Sequence, residues 1–226
     1  METVSYVKNV QPIFQARCVG CHGDSEPKGE LSLTSVAGMM KAGEHSGVGV
    51  TPARSIIRAA DLPRASPVDA APTDADVRAA HALLAGASRP LVLAGGSRWD
   101  GDASAALTEF AARHALPVAC AFRRQDLLDN RHANYVGDVG IAINPALATR
   151  IRDADVLLVI GERLGEMTTA GYTLLSAPLP AQTLIHVHPG VEELGRVYRP
   201  AVAIAAAPTA FLAALAKLPA LPADRW

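Results

Sequence analysis

From residue 73 onward, segments with apolar residues at helical spacing alternate with short uninterrupted apolar runs. The uninterrupted runs cover residues 91–94, 117–121, 156–160 and 202–205, and the mixed segment TLIHVH at 183–188 is predicted as a further strand. Runs of this kind are typical of strands that are buried on both faces of a sheet. Helical spacing covers residues 73–87, 102–114, 145–153, 190–194 and 208–218, with Thr73 as the first N-cap. Because strands and helices alternate with short connections, the pattern predicts an α/β fold with a parallel sheet.

The first 60 residues have a different pattern, which is rich in glycine and turn residues. Two short stretches, residues 6–14 and 34–42, carry apolar residues at helical spacing. A proline-spaced stretch at 61–72 follows and is interpreted as a linker or strap. The predicted organisation is a small, mostly helical segment at 1–60, the linker at 61–72, an α/β domain at 73–218 and a loose Ala/Pro-rich tail at 219–226.

Composition favours a globular chain, because half of the 226 residues are apolar and the formal net charge is -1. This balance gives no electrostatic basis for capturing nucleic acid or an anionic membrane, so neither partner is expected. No apolar run approaches the roughly 20 residues that span a bilayer. The three cysteines provide no disulfide framework, and Cys120, at the end of an apolar run, is interpreted as a core residue rather than a reactive thiol.

Residues 18–22 read CVGCH, which is the spacing of a covalent haem c attachment site. In this interpretation Cys18 and Cys21 form thioethers to the porphyrin, and His22 is the proximal ligand of the iron. A partial zinc site and a redox dithiol are the alternatives. A structural zinc normally needs four ligands, and no second Cys/His pair with the usual spacing follows. A thioredoxin-like dithiol would follow a strand, whereas a helical pattern precedes this motif.

The surroundings of the motif carry a family resemblance. They include VQPIF at 10–14, HGD at 22–24, KGELSL at 28–33, KAGEHSG at 41–47 and SII at 55–57. With these residues, the segment from about 4 to 58 resembles the small cytochrome c domains that are fused to other modules in planctomycetes and related bacteria. The resemblance implies bound haem c, an electron-transfer role and a redox partner protein.

The distal iron ligand is left open by this resemblance. The family places it on a methionine in a Met-Pro-Pro segment that leads to a final amphipathic helix, and neither element is found here. Met39, Met40 and His45 are the nearby candidates. Packing in a helix is the alternative for the two methionines, and a solvated loop position is the alternative for His45. A five-coordinate haem, which would bind small ligands, is a further alternative.

Gly95, Gly96 and Ser97 lie between a predicted strand and a predicted helix. Backbone amides and a helix N-terminus at such a turn favour anions, so these residues are a candidate nucleotide-binding loop. The alternative is that the glycines serve only the backbone of the turn, since there is no G-x-G-x-x-G motif. His186 and His188 share one face of a predicted strand, and without a third ligand a structural role is favoured over a metal pair.

A second resemblance rests on RPLVLAGG at 89–96, DADVLLVIGERLGEMTT at 153–169 and HVHPGVEELGRVY at 186–198. With these segments, residues 62–218 resemble the central domain of thiamine-diphosphate-dependent enzymes of the acetolactate synthase type. The resemblance implies a Rossmann-like sheet of six parallel strands with helices on both faces. In some members this domain holds FAD, at the loop that matches residues 95–98 and the region that matches 161–163.

For catalysis, the second resemblance points outside the central domain. The glutamate that activates thiamine belongs to a preceding domain of the family, and the motif that binds Mg²⁺ and the diphosphate belongs to a following one. Thiamine diphosphate and Mg²⁺ are therefore associated with this chain only through its family, and the central domain is expected to be non-catalytic alone. Because the family's active site lies at a dimer interface, a homo-oligomer through this domain is expected.

The two resemblances imply different compartments and leave three interpretations of function. Haem c implies the periplasm, although METVSYV at the start lacks a secretory signal pattern, and the thiamine-enzyme segment implies the cytoplasm. The first interpretation is a haem c electron-transfer module fused to a non-catalytic central domain. The second is a fragment of a thiamine-dependent carboligase or decarboxylase without its catalytic domains. The third is a natural or artificial chimera, joined near residue 60, with no evolved joint activity.

Overall fold

The computed structural model describes residues 6–26, 31–39, 42–43, 47–48 and 68–222. The chain divides into two compact units, residues 1–66 and 67–226. In these described ranges, no helix has the length and apolar character that crossing a bilayer requires.

The second unit is built on one parallel sheet of six strands. In chain order these are β1 (Pro90–Ala94), β2 (Val118–Ala121), β3 (Tyr135–Val139), β4 (Val156–Ile160), β5 (Thr183–His188) and β6 (Val202–Ala205). Their spatial order is β3-β2-β1-β4-β5-β6, and every neighbouring pair is parallel. The order reverses between β1 and β4, which makes this pair the topological switch point of a Rossmann-like sheet. The predicted fold class is confirmed.

The sequence pattern predicted five of the six strands and missed β3. This strand lies at the edge of the sheet, and only Val139 of its five residues is fully buried. An edge strand that is half exposed does not need an uninterrupted apolar sequence, so YVGDV carries no such signal.

Four α-helices cover the sheet: α1 (Asp74–Gly86), α2 (Gly101–His114), α3 (Pro145–Asp153) and α4 (Pro208–Leu215). The predicted N-cap is confirmed, because Thr73 Oγ1 accepts from the Asp76 amide at 3.1 Å and the Asp76 carboxylate accepts from the Thr73 amide at 3.4 Å. The predicted helix at 190–194 is a short 3₁₀ turn, Val191–Glu193. The predicted helix at 208–218 stops being α-helical at Leu215, shortly before Pro219.

Alternate residues of the central strands feed two hydrophobic cores. Val92 and Ala94 of β1 pack into the core formed with α1, α2 and α4. Leu91 and Leu93 pack into the opposite core, formed with α3 and with apolar residues of the loop after β4. All four side chains are essentially inaccessible to solvent. Coverage of both faces explains why β1 has no polar alternation.

The predicted loose tail is partly wrong. Residues 219–222 pack on α1 and α2, and Leu221 is only 6% exposed. The Leu221 amide donates to His114 Nδ1 at 3.2 Å, and His81 Nε2 lies 2.9 Å from the Pro219 carbonyl oxygen. The sequence of this segment contains few secondary-structure signals and therefore predicts a loose tail. In the structure, the buried Leu221 side chain and the hydrogen bonds of His81 and His114 hold residues 219–222 against α1 and α2.

The first unit begins with a helical segment, Tyr6–Val10 as a π-helix and Gln11–Arg17 as an α-helix, as the pattern at 6–14 predicts. Within the pattern at 34–42 the structure describes a helix over Val36–Met39, and residues 40 and 41 lie outside the described residues. Ala42–Gly43 pairs with Gly47–Val48 as a short antiparallel ladder, so the predicted helix does not include residue 42.

A buried histidine links β5 to the end of β4. His186 is 2% exposed, its Nε2 donates to the Glu162 carbonyl oxygen at 2.7 Å, and its Nδ1 has no partner. Burial lowers the pKa of His186 below its ordinary 6.5. The folded protein therefore binds fewer protons than the unfolded chain just below that pH, and stability falls as pH falls through this window.

We expect His186→Gln to flatten this pH dependence. In the native protein, His186 should lower the free energy of unfolding by up to roughly 1.4 kcal/mol for each pH unit below the pKa of the unfolded chain. Urea titrations between about pH 7.5 and pH 5, followed by tryptophan fluorescence, measure this. Both tryptophans, at positions 99 and 226, belong to the second unit. His81→Gln, at a half-buried surface position, should keep the native slope, and an unchanged slope in His186→Gln would contradict the assignment.

Candidate functional site

The two motif thiols lie on a helix-like turn at the end of Gln11–Arg17. The Cys18 amide donates to the Phe14 carbonyl at 2.8 Å, and the amides of Cys21 and His22 both donate to the Cys18 carbonyl, at 3.1 and 3.0 Å. Residues three apart on such a turn lie on the same side. Both thiols are free, with Cys21 exposed and Cys18 half-buried. The two free thiols thus lie on one hydrogen-bonded turn, directly before His22.

The imidazole of His22 is oriented by a backbone carbonyl. Its Nδ1 lies 3.2 Å from the Leu31 carbonyl oxygen, and the His22 carbonyl accepts from the Leu33 amide at 2.8 Å. A carbonyl oxygen can only accept, so the proton of this hydrogen bond is on Nδ1. The lone pair of Nε2 is then available to a metal, which is the usual arrangement of a ligating histidine and its backbone partner.

Asp24 ties the segment that carries this carbonyl to the motif. Its Oδ1 accepts from Ser32 Oγ at 2.8 Å and from Thr34 Oγ1. The hydrogen bonds from Thr34 and then Ser32 lower the pKa of the Asp24 carboxyl. The carboxylate thus holds residues 31–34 beside His22, a contact that sequence spacing alone did not reveal.

Of the distal-ligand candidates, only Met39 lies within the described residues. It ends the helix Val36–Met39 and is 4% exposed, so its thioether packs against the protein. Coordination of iron would require this side chain to leave its packing. Met40 and His45 lie outside the described residues.

The candidate nucleotide loop lies at the carboxyl edge of the sheet. Gly96 and Ser97, after β1, face Gly161, Glu162 and Arg163, after β4, across a cleft of about 290 Å³. His188, at the end of β5, completes the lining. Open α/β sheets bind ligands in this crevice, outside the carboxyl ends of the strands at the switch point. The prediction of a nucleotide here stays a prediction.

The glycines of the loop are needed for contacts within the protein. A Cβ on Gly96, where φ is +71°, would lie 1.7 Å from the Gly161 carbonyl oxygen. A Cβ on Gly95 would lie 2.4 Å from Cβ of Ala121 and 2.7 Å from Glu162 Oε2. Protein atoms already fill the space that a side chain at either position would take. This agrees with the alternative that the glycines serve only the backbone of the turn.

The loop carbonyls are also engaged. The Trp99 indole donates to the Gly95 carbonyl at 2.7 Å, and the Arg124 guanidinium donates to the Gly96 carbonyl. Arg124 also forms an ion pair with Asp126 at 3.2 Å. These contacts fix the loop in one conformation.

Glu162 lies in the region 161–163 that the family resemblance marks, but no residue pattern singled it out. It is 8% exposed, and its Oε1 accepts from the buried hydroxyl of Thr168 at 3.0 Å. Its Oε2 lies beside Gly95, 2.7 Å from where a Cβ on that glycine would be, and Glu162 is one of the residues that line the cleft. The available signal was an acidic residue directly after the glycine that follows β4.

The remaining candidate residues, His186, His188 and Cys120, make contacts within the protein. The rings of His186 and His188 lie 6.2 Å apart, and His188 Nδ1 is bonded within its own turn, at 3.0 Å to Gly190. In the part of the chain that the structure describes, no three His, Cys, Asp or Glu side chains are grouped to hold a metal ion. Cys120 is fully buried in β2, and burial raises its pKa to about 11, so it is the core residue expected.

Comparisons with known proteins agree with both resemblances. A family model described as thiamine pyrophosphate enzyme, central domain, matches residues 77–215, and one described as planctomycete cytochrome C matches residues 18–56. Sulfoacetaldehyde acetyltransferase of Alcaligenes xylosoxydans xylosoxydans is 31% identical over 131 residues, which are 58% of this chain and 22% of the relative. Acetolactate synthase isozyme 2 large subunit of Escherichia coli K12 is 26% identical over 141 residues, 62% of this chain and 25% of the relative.

The chain thus spans about a quarter or less of the length of these curated relatives. The match to the thiamine-enzyme model covers more than half of the chain and contains all six strands of the sheet. The cytochrome match begins at the first cysteine of the CVGCH motif. Residues 18–56, ahead of that domain, are similar to planctomycete cytochrome C. The chain belongs to the family of thiamine pyrophosphate enzyme central domains.

Proposed function

We propose that the first unit binds haem c and transfers electrons, and that the α/β unit is a non-catalytic central domain fused to it. Cys18 and Cys21 would hold the porphyrin through thioethers, and His22 would ligate the iron through Nε2. When bound, haem c supplies a one-electron redox centre. A redox partner protein is then required, and a second copy of this chain is the partner proposed for the central domain.

The observation that carries this proposal is the hydrogen bond between His22 Nδ1 and the Leu31 carbonyl, at 3.2 Å. It places the proton on the nitrogen that points away from the metal side and increases the basicity of Nε2. Two free thiols on the adjacent turn supply the covalent attachment. These features together fit a haem c site better than a zinc site, because no further Cys or His among the described residues completes a set of four zinc ligands.

Among the described residues, no group of three or more His, Cys, Asp or Glu side chains is placed to hold a metal ion. Thiamine diphosphate and Mg²⁺ are associated with this chain through the family of its central domain.

A second candidate function has its own support. The relatives of this chain include sulfoacetaldehyde acetyltransferase and acetolactate synthase, and this chain covers a quarter or less of each. In this alternative, residues 77–215 are the bracing domain of a larger thiamine-dependent carboligase or decarboxylase. If the chain is such a fragment, the haem segment has no part in its function. The same holds if the chain is a chimera without a joint activity. The first proposal differs from both, because it gives the haem segment a function.

We expect covalent haem to depend on both motif cysteines. In a host with haem c maturation, the native chain should give a c-type pyridine haemochrome spectrum. Cys18→Ala and Cys21→Ala should each shift the band, because one vinyl group stays unsaturated, and the double variant should lose haem to extraction by acidified acetone. Cys120→Ala is the matched control, since Cys120 is the third cysteine and lies buried in β2.

A native-like haemochrome in the double variant would contradict attachment at Cys18 and Cys21. A c-type band that requires Cys120 would contradict it as well. Circular dichroism of each variant establishes whether the α/β unit remains folded.

We expect this chain alone to have no carboligase activity. With pyruvate, thiamine diphosphate and Mg²⁺, acetolactate formation should stay at the level of a protein-free reaction, because this chain matches a central domain and covers a quarter or less of the thiamine-enzyme relatives. A colorimetric acetolactate assay, with an intact thiamine-dependent synthase as positive control, measures this. Product that increases in proportion to the added chain would contradict the non-catalytic assignment and favour the carboligase alternative.

A further inference from the structure

The crevice between β1 and β4 has the position of a nucleotide site but an unusual charge. Its deepest ionisable side chain is Glu162, which is 8% exposed. One carboxylate oxygen accepts from Thr168 Oγ1 at 3.0 Å, and the other lies beside Gly95, 2.7 Å from where a Cβ on that glycine would be. A phosphate drawn to the backbone of the glycine loop would therefore approach a carboxylate.

The helix that follows the loop does not offset this charge. Its N-terminus would favour an anion, but Asp100 already caps it, accepting from the Ala103 amide at 2.7 Å. The Thr209 hydroxyl also donates to Asp100, at 3.2 Å. The first turn of α2 thus has its own carboxylate where a phosphate would be expected.

Two arginines lie near the crevice and have to be weighed against the carboxylates. Arg124 is engaged by Asp126 and by the Gly96 carbonyl, so its charge is already paired. Arg163 lines the cleft, but it is exposed to solvent. Water and salt screen an exposed charge much more strongly than a buried one, so the charge of Glu162 dominates inside the cleft.

The size of the crevice also makes it a poor fit for FAD. At about 290 Å³ it lies at the lower limit of pockets that hold drug-sized ligands, and FAD is larger than such ligands.

We propose that Glu162 closes the switch-point crevice to phosphate-bearing nucleotides, so that this central domain holds neither FAD nor ADP. Glu162 is in this sense a specificity-determining residue, since it makes the crevice a site for hydrogen-bond donors rather than for anions. The inference concerns the α/β unit alone and does not depend on whether haem is attached to the first unit.

Calorimetric titration of the full chain with FAD, ADP and adenosine tests this. The native chain should bind neither FAD nor ADP measurably. Glu162→Gln keeps the size of the side chain and the acceptor for Thr168 while it removes the charge, and it should strengthen ADP binding by about tenfold or more. Adenosine has no phosphate, so its binding should be the same in both proteins. Glu166→Gln, an exposed neighbour outside the crevice lining, is the matched control and should behave as the native chain.

Three results would overturn the proposal. The first is FAD or ADP binding by the native chain as tight as by Glu162→Gln. The second is a Glu162→Gln variant that is folded by circular dichroism and still gains no affinity for ADP, which would assign exclusion to the size of the crevice. The third is an equal gain for adenosine and ADP, which would show that the charge is not responsible.

Discussion

The pairing of β1 with β4 is the constraint on which the rest of the α/β unit depends. The two strands are in register from Pro90 opposite Val156 to Ala94 opposite Ile160, and both are buried along their whole length. Because they end at the same level, their loops meet, and only glycine at position 96 fits against the Gly161 carbonyl. The close approach of Gly96 to Gly161 holds the two loops together at the crevice, and Glu162, which follows Gly161, is among the residues that line it. The chemistry of the crevice thus follows from strand register.

The buried centre of this fold is visible in the sequence because burial on both faces demands apolar residues without interruption. For this reason β1 and β4 stand out, whereas the edge strand β3, buried at Val139 alone, does not. The same reasoning fails for residues 219–222, where one buried leucine and two histidine contacts replace a periodic pattern. A periodic pattern of apolar residues indicates an element that makes many similar contacts, and it does not reveal a segment that is held by a few individual ones.

The site residues divide in a similar way. The attachment chemistry of Cys18, Cys21 and His22 is local, so five consecutive residues are enough to predict it. The orientation of His22 depends on Leu31, nine positions away, and on the hydrogen bonds of Asp24 that hold that segment. The position of the Glu162 carboxylate likewise depends on Thr168 and on the glycine contact between two loops. No spacing rule contains these contacts, because the intervening chain first has to fold back.

We propose that this chain carries covalently bound haem in its first unit, and intact mass spectrometry under denaturing conditions measures this directly. The full chain is produced in a host that matures c-type cytochromes. We expect a mass equal to the polypeptide plus one haem, which persists after the protein is unfolded because thioether bonds do not depend on the fold. A mass equal to the polypeptide alone, from a host in which a known c-type cytochrome is matured, would show that haem is not attached.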